Sequence, residues 1–282
     1  MSVDVSPFDV SAVAGVSVLR TEGHAHLKAE RIAGQTVAID IDEEGPLRLR
    51  FPRVTASGML ETVIVNTGGG VAGGDRLNFE VEASAGTNVT VTSQAAEKIY
   101  RSSGRDAEIA VRLLAGDGAR LTWAPQESIL FNRARVSRTI DAEVTRDATL
   151  TICESVVFGR TAMGEQVSSG ILKDRWRVRR DGHLVFADAV TLDGAIDRML
   201  ARPAIANGAI AAGTIVQMSP DCETKLDGVR AALAIEGVEA GASAFDGMIV
   251  VRVLAQDCIG LRAAILATLS ALGANPPRAF TL

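Results

Sequence analysis

Thr62-Val-Ile-Val-Asn-Thr-Gly-Gly-Gly-Val-Ala-Gly-Gly-Asp-Arg-Leu-Asn-Phe-Glu-Val81 is the stretch on which the fold class turns. An apolar run enters a glycine-rich loop, and Gly68, Gly70 and Gly73 satisfy the first half of a dinucleotide-binding fingerprint. The second half requires a helix N-terminus behind the glycines to hold a pyrophosphate. Behind these glycines stand Leu77, Phe79 and Val81, spaced by two, which is the period of a strand. A Walker-type phosphate loop fails for a different reason. Gly69 and Gly74 have the right separation, but Asp75 stands where a lysine is needed, and its carboxylate repels phosphate. Gly68, Gly69, Gly70, Gly73 and Gly74 are therefore expected to turn the backbone through positive φ, or to admit another segment at backbone distance. Asp75 and Arg76 stand at the exit of the turn, placed to pair with each other or to face a partner.

The same period extends in both directions. Val37, Ile39 and Ile41, then Leu47, Leu49 and Phe51, Val89 and Val91, and Ile109, Val111 and Leu113 alternate with polar residues such as Arg48, Arg50, Thr90 and Thr92. Further strands are expected at Ala119 to Trp123, Ala148 to Val157, Ile171 to Val178, Leu184 to Ala187 and Gly247 to Leu254. The turn groups Ala115-Gly-Asp-Gly118 and Arg180-Asp-Gly182 predict tight hairpins. The fold class is mainly β, a large multi-stranded architecture in which one sheet buries its face on another. About two α-helices interrupt it. One near the C-terminus spans Ile259 to Leu272, with Leu261, Ile265, Leu269 and Leu272 on one face and Gly273 and Pro276 behind it. The other is a short segment at Ala195 to Ala201, stopped by Pro203. Residues 1–14 carry no period and read as a flexible arm, with residues 15–282 forming a single domain.

The chain has 282 residues, of which 47% are hydrophobic and 22% charged, enough apolar surface for a substantial core. A formal net charge of -5 excludes the overall basic character that attracts a phosphate backbone, so nucleic acid is not an expected partner. Arginines recur between Arg133 and Arg146 and between Arg175 and Arg180, but acids are interleaved with them, which is the pattern of a solvated face. Cys153, Cys222 and Cys258 show no paired spacing and are expected to be reduced thiols of a cytoplasmic protein. No stretch approaches the ~20 apolar residues of a membrane span.

Candidate chemistry is sparse. Lys98 and Tyr100 lie in Thr92-Ser-Gln-Ala-Ala-Glu-Lys-Ile-Tyr-Arg-Ser102, but no nearby histidine completes an acid–base mechanism, and a structural strand is the better reading. Glu127, in Trp123-Ala-Pro-Gln-Glu-Ser-Ile-Leu-Phe131, and Glu154, before Val156 to Phe158, are carboxylates in apolar settings. Each needs a partner there, with Arg160 or a passing metal ion as the candidates. His24 and His26 share a face if their segment is a strand, yet two imidazoles without a third ligand make a weak metal site. His183 falls in a hairpin turn.

Four segments together resemble the UreD (UreH) family of urease accessory proteins: Asn66 to Leu77 (NTGGGVAGGDRL), Thr92 to Ser102 (TSQAAEKIYRS), Trp123 to Ala134 (WAPQESILFNRA) and Phe158 to Glu165 (FGRTAMGE). They occur in the family's order and spacing, with echoes at Phe51-Pro-Arg53, at Val250 to Leu254 and at Pro276-Pro-Arg278. The family often has alanine at Gly68 and leucine at Ala124, and neither departure removes a charged group.

The resemblance implies a mainly β, non-catalytic, cytoplasmic scaffold that holds apo-urease on one side and UreF on the other, with UreF recruiting the GTPase UreG. GTP hydrolysis then accompanies nickel delivery to urease. It also implies a polar passage for nickel in transit, with no tightly bound cofactor. Asp75, Glu127, Glu154 and Glu165 are the residues expected to ligate nickel transiently or to contact a partner. The competing reading is a nucleotide-dependent enzyme using the Gly68–Gly74 loop. A carbohydrate-binding module ranks behind it, since only 4% of residues are aromatic.

Overall fold

The computed structural model describes residues 20–53, 58–160 and 163–280. The expected arm at residues 1–14 lies outside them.

Two sheets face each other. The first runs in the order β14 (His183–Gly194), β13 (Gly170–Arg180), β11 (Arg135–Val144), β8 (Ala107–Ala115), β5 (Arg76–Ala83), β1 (Glu22–Ile32) and β2 (Gln35–Glu44). The second runs β16 (Val238–Phe245), β17 (Met248–Ala255), β15 (Ala211–Met218), β12 (Thr149–Phe158), β9 (Arg120–Trp123), β6 (Asn88–Ser93), β4 (Leu60–Asn66) and β3 (Leu47–Arg50). Two short strands, β7 (Glu97–Ile99) and β10 (Ser128–Leu130), add a row beside β12.

From β4 to β13 the chain coils, crossing from one sheet to the other and returning parallel to its previous strand. The pairs β5–β8, β8–β11 and β11–β13 are parallel in the first sheet, as are β4–β6, β6–β9 and β9–β12 in the second. Parallel neighbours need a crossover, and here the crossover is a strand of the opposite sheet rather than a helix. This corrects one expected hairpin. The Gly116-Asp-Gly118 turn carries the chain between sheets, from β8 to β9. Asp181-Gly182 does close a hairpin between β13 and β14, with both residues at positive φ as a two-residue turn demands.

Strands of the first sheet alternate because their outer face meets solvent. Leu27, Leu77, Val111 and Ile140 point inward and are buried, while the residues between them are exposed or half-buried. The second sheet is covered on both faces, which accounts for the nearly unbroken burial of β12. Its outer face carries the second core, closed by α2 (Leu226–Ala232) and α3 (Cys258–Ala271). The expected C-terminal helix is α3. Asp257 caps its start by accepting from the Gly260 N–H at 2.7 Å, and Gly273, at φ 68°, ends it in a Schellman arrangement with bonds from Ala274 to Leu269 and from Gly273 to Ser270. The expected short helix is α1 (Ile196–Leu200), while α2 has a glycine in a single turn or two and gave no periodic signal.

Two further expectations need correction. Ile39 and Ile41 are 43% and 44% exposed, since β2 is an edge strand with a bulge opposite Lys28/Ala29. Thr90 and Thr92, the polar residues that alternate with Val89 and Val91, do not face solvent but are buried. With Glu61, Thr122, Thr151 and Gln217, Thr90 forms a polar row across the second sheet. The segment after α3 lies by this row: the Gln217 amide donates to the Leu272 carbonyl at 3.3 Å, and the Arg278 N–H donates to Glu61 at 3.3 Å.

Candidate functional site

The space between the sheets holds a buried ionic cluster. Arg138 projects inward from β11 and meets Asp174 of the adjacent β13 through two parallel hydrogen bonds, Nε to Oδ1 at 3.0 Å and Nη2 to Oδ2 at 2.5 Å. Its Nη1 crosses to the opposite sheet and donates to Glu154 of β12. The indole N–H of Trp123 donates to the other Glu154 oxygen at 2.8 Å, and that of Trp176 donates to Asp174 at 3.0 Å. Arg138 and Glu154 are each only 5% exposed.

One guanidinium thus faces two carboxylates. Burial works against the charge on Arg138, but Asp174 and Glu154 outweigh it and hold the group cationic. For Glu154, burial pushes the carboxyl above its ordinary range, although Arg138 and Trp123 pull the other way. Asp174 adds to the upward push, as expected when two carboxylates share one cation.

A cavity of about 330 Å3 opens beside this cluster, lined by Arg138, Glu154 and Asp174 together with apolar side chains such as Phe158, Leu172 and Leu254. Arg252 also lines it and pairs with Asp188 at 2.5 Å, joining β17 to β14. On the other side lies a smaller space of about 50 Å3, lined by Phe79, Glu97, Trp123 and Gln126. Arg138 and Glu154 line both, so the cluster stands between them. Burial raises the Glu97 carboxyl, against a hydrogen bond from Asn66 at 3.1 Å.

The four candidate carboxylates are not brought together; of them, only Glu154 faces the large cavity. Asp75 is spent on its own turn, accepting from the Ala72 N–H at 2.7 Å and the Thr21 N–H at 2.9 Å. Arg76 pairs with Glu108 at 3.1 Å, so of the two arrangements open to Asp75 and Arg76, the mutual pair is not formed. Glu127 is paired with Arg262 of α3 at 3.2 Å, and Arg160 with Glu165 at 2.8 Å, so Arg160 partners neither Glu127 nor Glu154. The hydrogen bond from Arg160 holds the Glu165 carboxyl below its usual range. Arg160 also lies over the Phe131 ring at 4.4 Å.

The glycine loop is a clasp. Val71 is held by two backbone bonds beside β7, its N–H donating to the Lys98 carbonyl at 2.8 Å and its carbonyl accepting from the Tyr100 N–H at 2.8 Å. A Cβ at Gly70 would sit 2.4 Å from the Tyr100 ring, and one at Gly73 would sit 2.0 Å from the Ser102 hydroxyl. Gly70 and Gly73 admit a segment of the same chain at backbone distance, and Gly69, Gly70 and Gly74 turn through positive φ. Behind them β5 begins at Arg76, so a strand and not a helix N-terminus follows the loop, and the nucleotide reading loses its phosphate cradle. The Tyr100 hydroxyl donates to the Gly69 carbonyl at 2.8 Å, and Lys98 is exposed on β7.

His24 and His26 do share the outer face of β1, with ring centroids 6.5 Å apart. Among the described residues no group of three or more His, Cys, Asp or Glu side chains is placed to hold a metal ion.

The family model described as UreD urease accessory protein matches residues 21–279. The chain belongs to the UreD family. It is 49% identical over 251 residues to the urease accessory protein UreD of Methylobacterium sp. (strain 4-46), covering 87% of this chain and 89% of that one. It is 44% identical over 275 residues to the UreD of Rhodopseudomonas palustris (strain BisB18), covering 97% and 99%. Within this UreD chain the four motif segments all fall at one end of the coil, where the glycine loop, β7, β10 and the Gly159 turn hydrogen-bond in sequence. Arg138 and Asp174 lie outside those motifs, in the arginine-rich stretches read as solvated. Their signal was weak but present. Arg138 falls two residues from each of Val136 and Ile140, so it occupies an inward position of an alternating strand. Among the described residues no helix is long and apolar enough to cross a membrane.

Proposed function

We propose that this chain is a urease maturation scaffold: it binds apo-urease and UreF in the cytoplasm, receives UreG through UreF, and supports GTP-dependent delivery of nickel without a reaction of its own. Family membership across residues 21–279 supports this reading, since the relatives carry the name of urease accessory proteins. One structural observation gives it a mechanism. The cavity and the smaller space beside it are separated by a cluster with one cation and two carboxylates.

With both acids ionised the cluster has an excess of negative charge in a poorly solvated place. A cation entering the cavity is attracted there, and a proton competes with it at Glu154, whose carboxyl is already pushed upward. Oxygen donors suit a borderline divalent ion that must leave again, since none of them closes a full coordination shell. Nickel is the cargo here, and the free thiols of Cys153 and Cys222 are kept away from it in the second core.

The test is to fill the cavity. Ala212 lies opposite Val156 on the inner face of β15 and lines the cavity. Ala212→Phe should leave the chain folded and able to bind its partners while lowering the nickel content of co-expressed urease. Unchanged nickel loading with the cavity filled would remove the transit reading while leaving the scaffold reading standing.

A further inference from the structure

At the end of the coil where the glycine loop lies, four exposed arginines stand on a rigid frame without acid partners. They are Arg20, Arg101, Arg105 and Arg133, and among the described residues none of them is paired with a carboxylate. The acids nearby are engaged. Asp75 accepts from backbone N–H groups, Asp106 takes Arg135 at 2.8 Å and Lys173 at 2.9 Å, and Glu108 takes Arg76. Glu22, exposed two residues from Arg20, is the exception.

Two of these arginines converge. A Cβ at Gly74 would lie 3.6 Å from Cδ of Arg105 and 3.8 Å from Cδ of Arg20, so both side chains cover the same glycine. Like charges brought together without a counter-ion repel, and an external anion removes the repulsion. Arg101 and Arg133 are neighbours through a backbone bridge between Arg101 and Ala134, and the Ser102 N–H donates to the Arg133 carbonyl at 2.9 Å.

Arg133 adds an independent sign. Its φ is 66°, a left-handed conformation that costs a non-glycine residue roughly 1–2 kcal/mol. The other non-glycine residues with positive φ among those described, Ala33, Asp181, Asn207 and Asp246, each precede a glycine in a turn. Arg133 precedes Ala134 and is held in place by bonds at both ends, its N–H donating to the Ser169 carbonyl at 2.7 Å. The backbone strain aims an arginine outward where glycine would fold more easily.

We infer that this arginine-bearing end is a docking surface for an acidic face of a protein partner. The frame is preorganised, because the loops carrying the arginines are tied to β7 and β10 by backbone hydrogen bonds, so little freedom is lost on binding. A nucleic acid fits less well. The chain has a net charge of -5, and a long polyanion would run past the patch onto acidic surface such as Asp40, Asp42 and Glu44 of β2. The choice of partner to try rests on the maturation reading, whereas the existence of the surface does not.

Two measurements separate these. On immobilised poly-L-glutamate at low salt, wild-type chain should be retained despite its net charge. R101E/R105E should flow through, and R146E, at the opposite end, should behave as wild type. Equal elution of all three overturns the surface. In capture experiments with purified apo-urease and UreF, R101E/R105E should weaken one of the two complexes by at least about tenfold near 0.1 M salt. R133G should raise the melting temperature and weaken the same complex, a combination that a purely structural arginine does not give. Full capture of both proteins by R101E/R105E overturns the docking role. Wild-type chain that captures neither, yet is retained on poly-L-glutamate in an arginine-dependent way, counts against the maturation reading and for an acidic partner of another kind.

Discussion

Replacing Arg138 by methionine keeps most of the side-chain volume and removes the only cation facing Glu154 and Asp174 in the cluster. Both carboxylates are then left in a space where Glu154 is 5% exposed. Breaking a buried pair by removing one partner costs about 3–5 kcal/mol, against a total stability of roughly 5–15 kcal/mol for a folded domain. With a urea slope near 3 kcal/mol/M, the Arg138→Met midpoint should fall by about 1 M or more at pH 8. The pH dependence has a definite sign. A carboxyl whose folded pKa lies above its unfolded value contributes stability when protonated and loses it as pH rises through the folded pKa. Burial already raises Glu154, and losing Arg138 raises it further, so the deficit of Arg138→Met should shrink as the pH is lowered from 8 towards 5. The triple change Arg138→Met, Glu154→Gln, Asp174→Asn should recover most of the loss. Urea titrations of wild type, the single variant and the triple variant at both pH values decide it. An Arg138→Met protein within 1 kcal/mol of wild type, on the order of the cost of an exposed pair, would refute the claim that this cluster is buried and mutually dependent.

Gly70→Ala places a Cβ 2.4 Å from the Tyr100 ring at φ 145°, so its melting temperature should drop well below that of Gly69→Ala, which meets open space at φ 75°; equal losses would contradict the clasp. Asp257→Ala removes the cap of α3 and should cost about 1 kcal/mol by urea unfolding. A thiol reagent at neutral pH should modify at most Cys258 in the folded protein, since Cys153 and Cys222 are buried and burial pushes both thiols up. Rapid reaction of a second thiol without denaturant would count against the second core.

Much of this architecture can be read from spacing alone. Leu77, Phe79 and Val81 after the glycine loop exclude a dinucleotide fold, and α3 announces itself through Leu261, Ile265 and Leu269. The parallel coil does not, because period-two patterning is the same for a strand whose neighbour is antiparallel or parallel. Gly116-Asp-Gly118 and Asp181-Gly182 look alike, yet only the second closes a hairpin. Burial on the far side of a sheet is equally silent. Thr90 and Thr122 alternate like surface residues and are covered by segments distant in sequence. The site was legible in part. Glu154 stands out as a carboxylate in an apolar run, but its partner Arg138 sits in a stretch rich in exposed charges, and nothing local distinguishes the inward arginine from its neighbours except its place between Val136 and Ile140.

The central claim is tested most directly by the nickel content of urease purified after co-expression of its structural subunits and accessory proteins with and without this chain. The account predicts that omission leaves the enzyme assembled but nearly free of nickel and inactive, and that restoring the chain restores both. Full nickel occupancy and activity in its absence would contradict the role assigned to it.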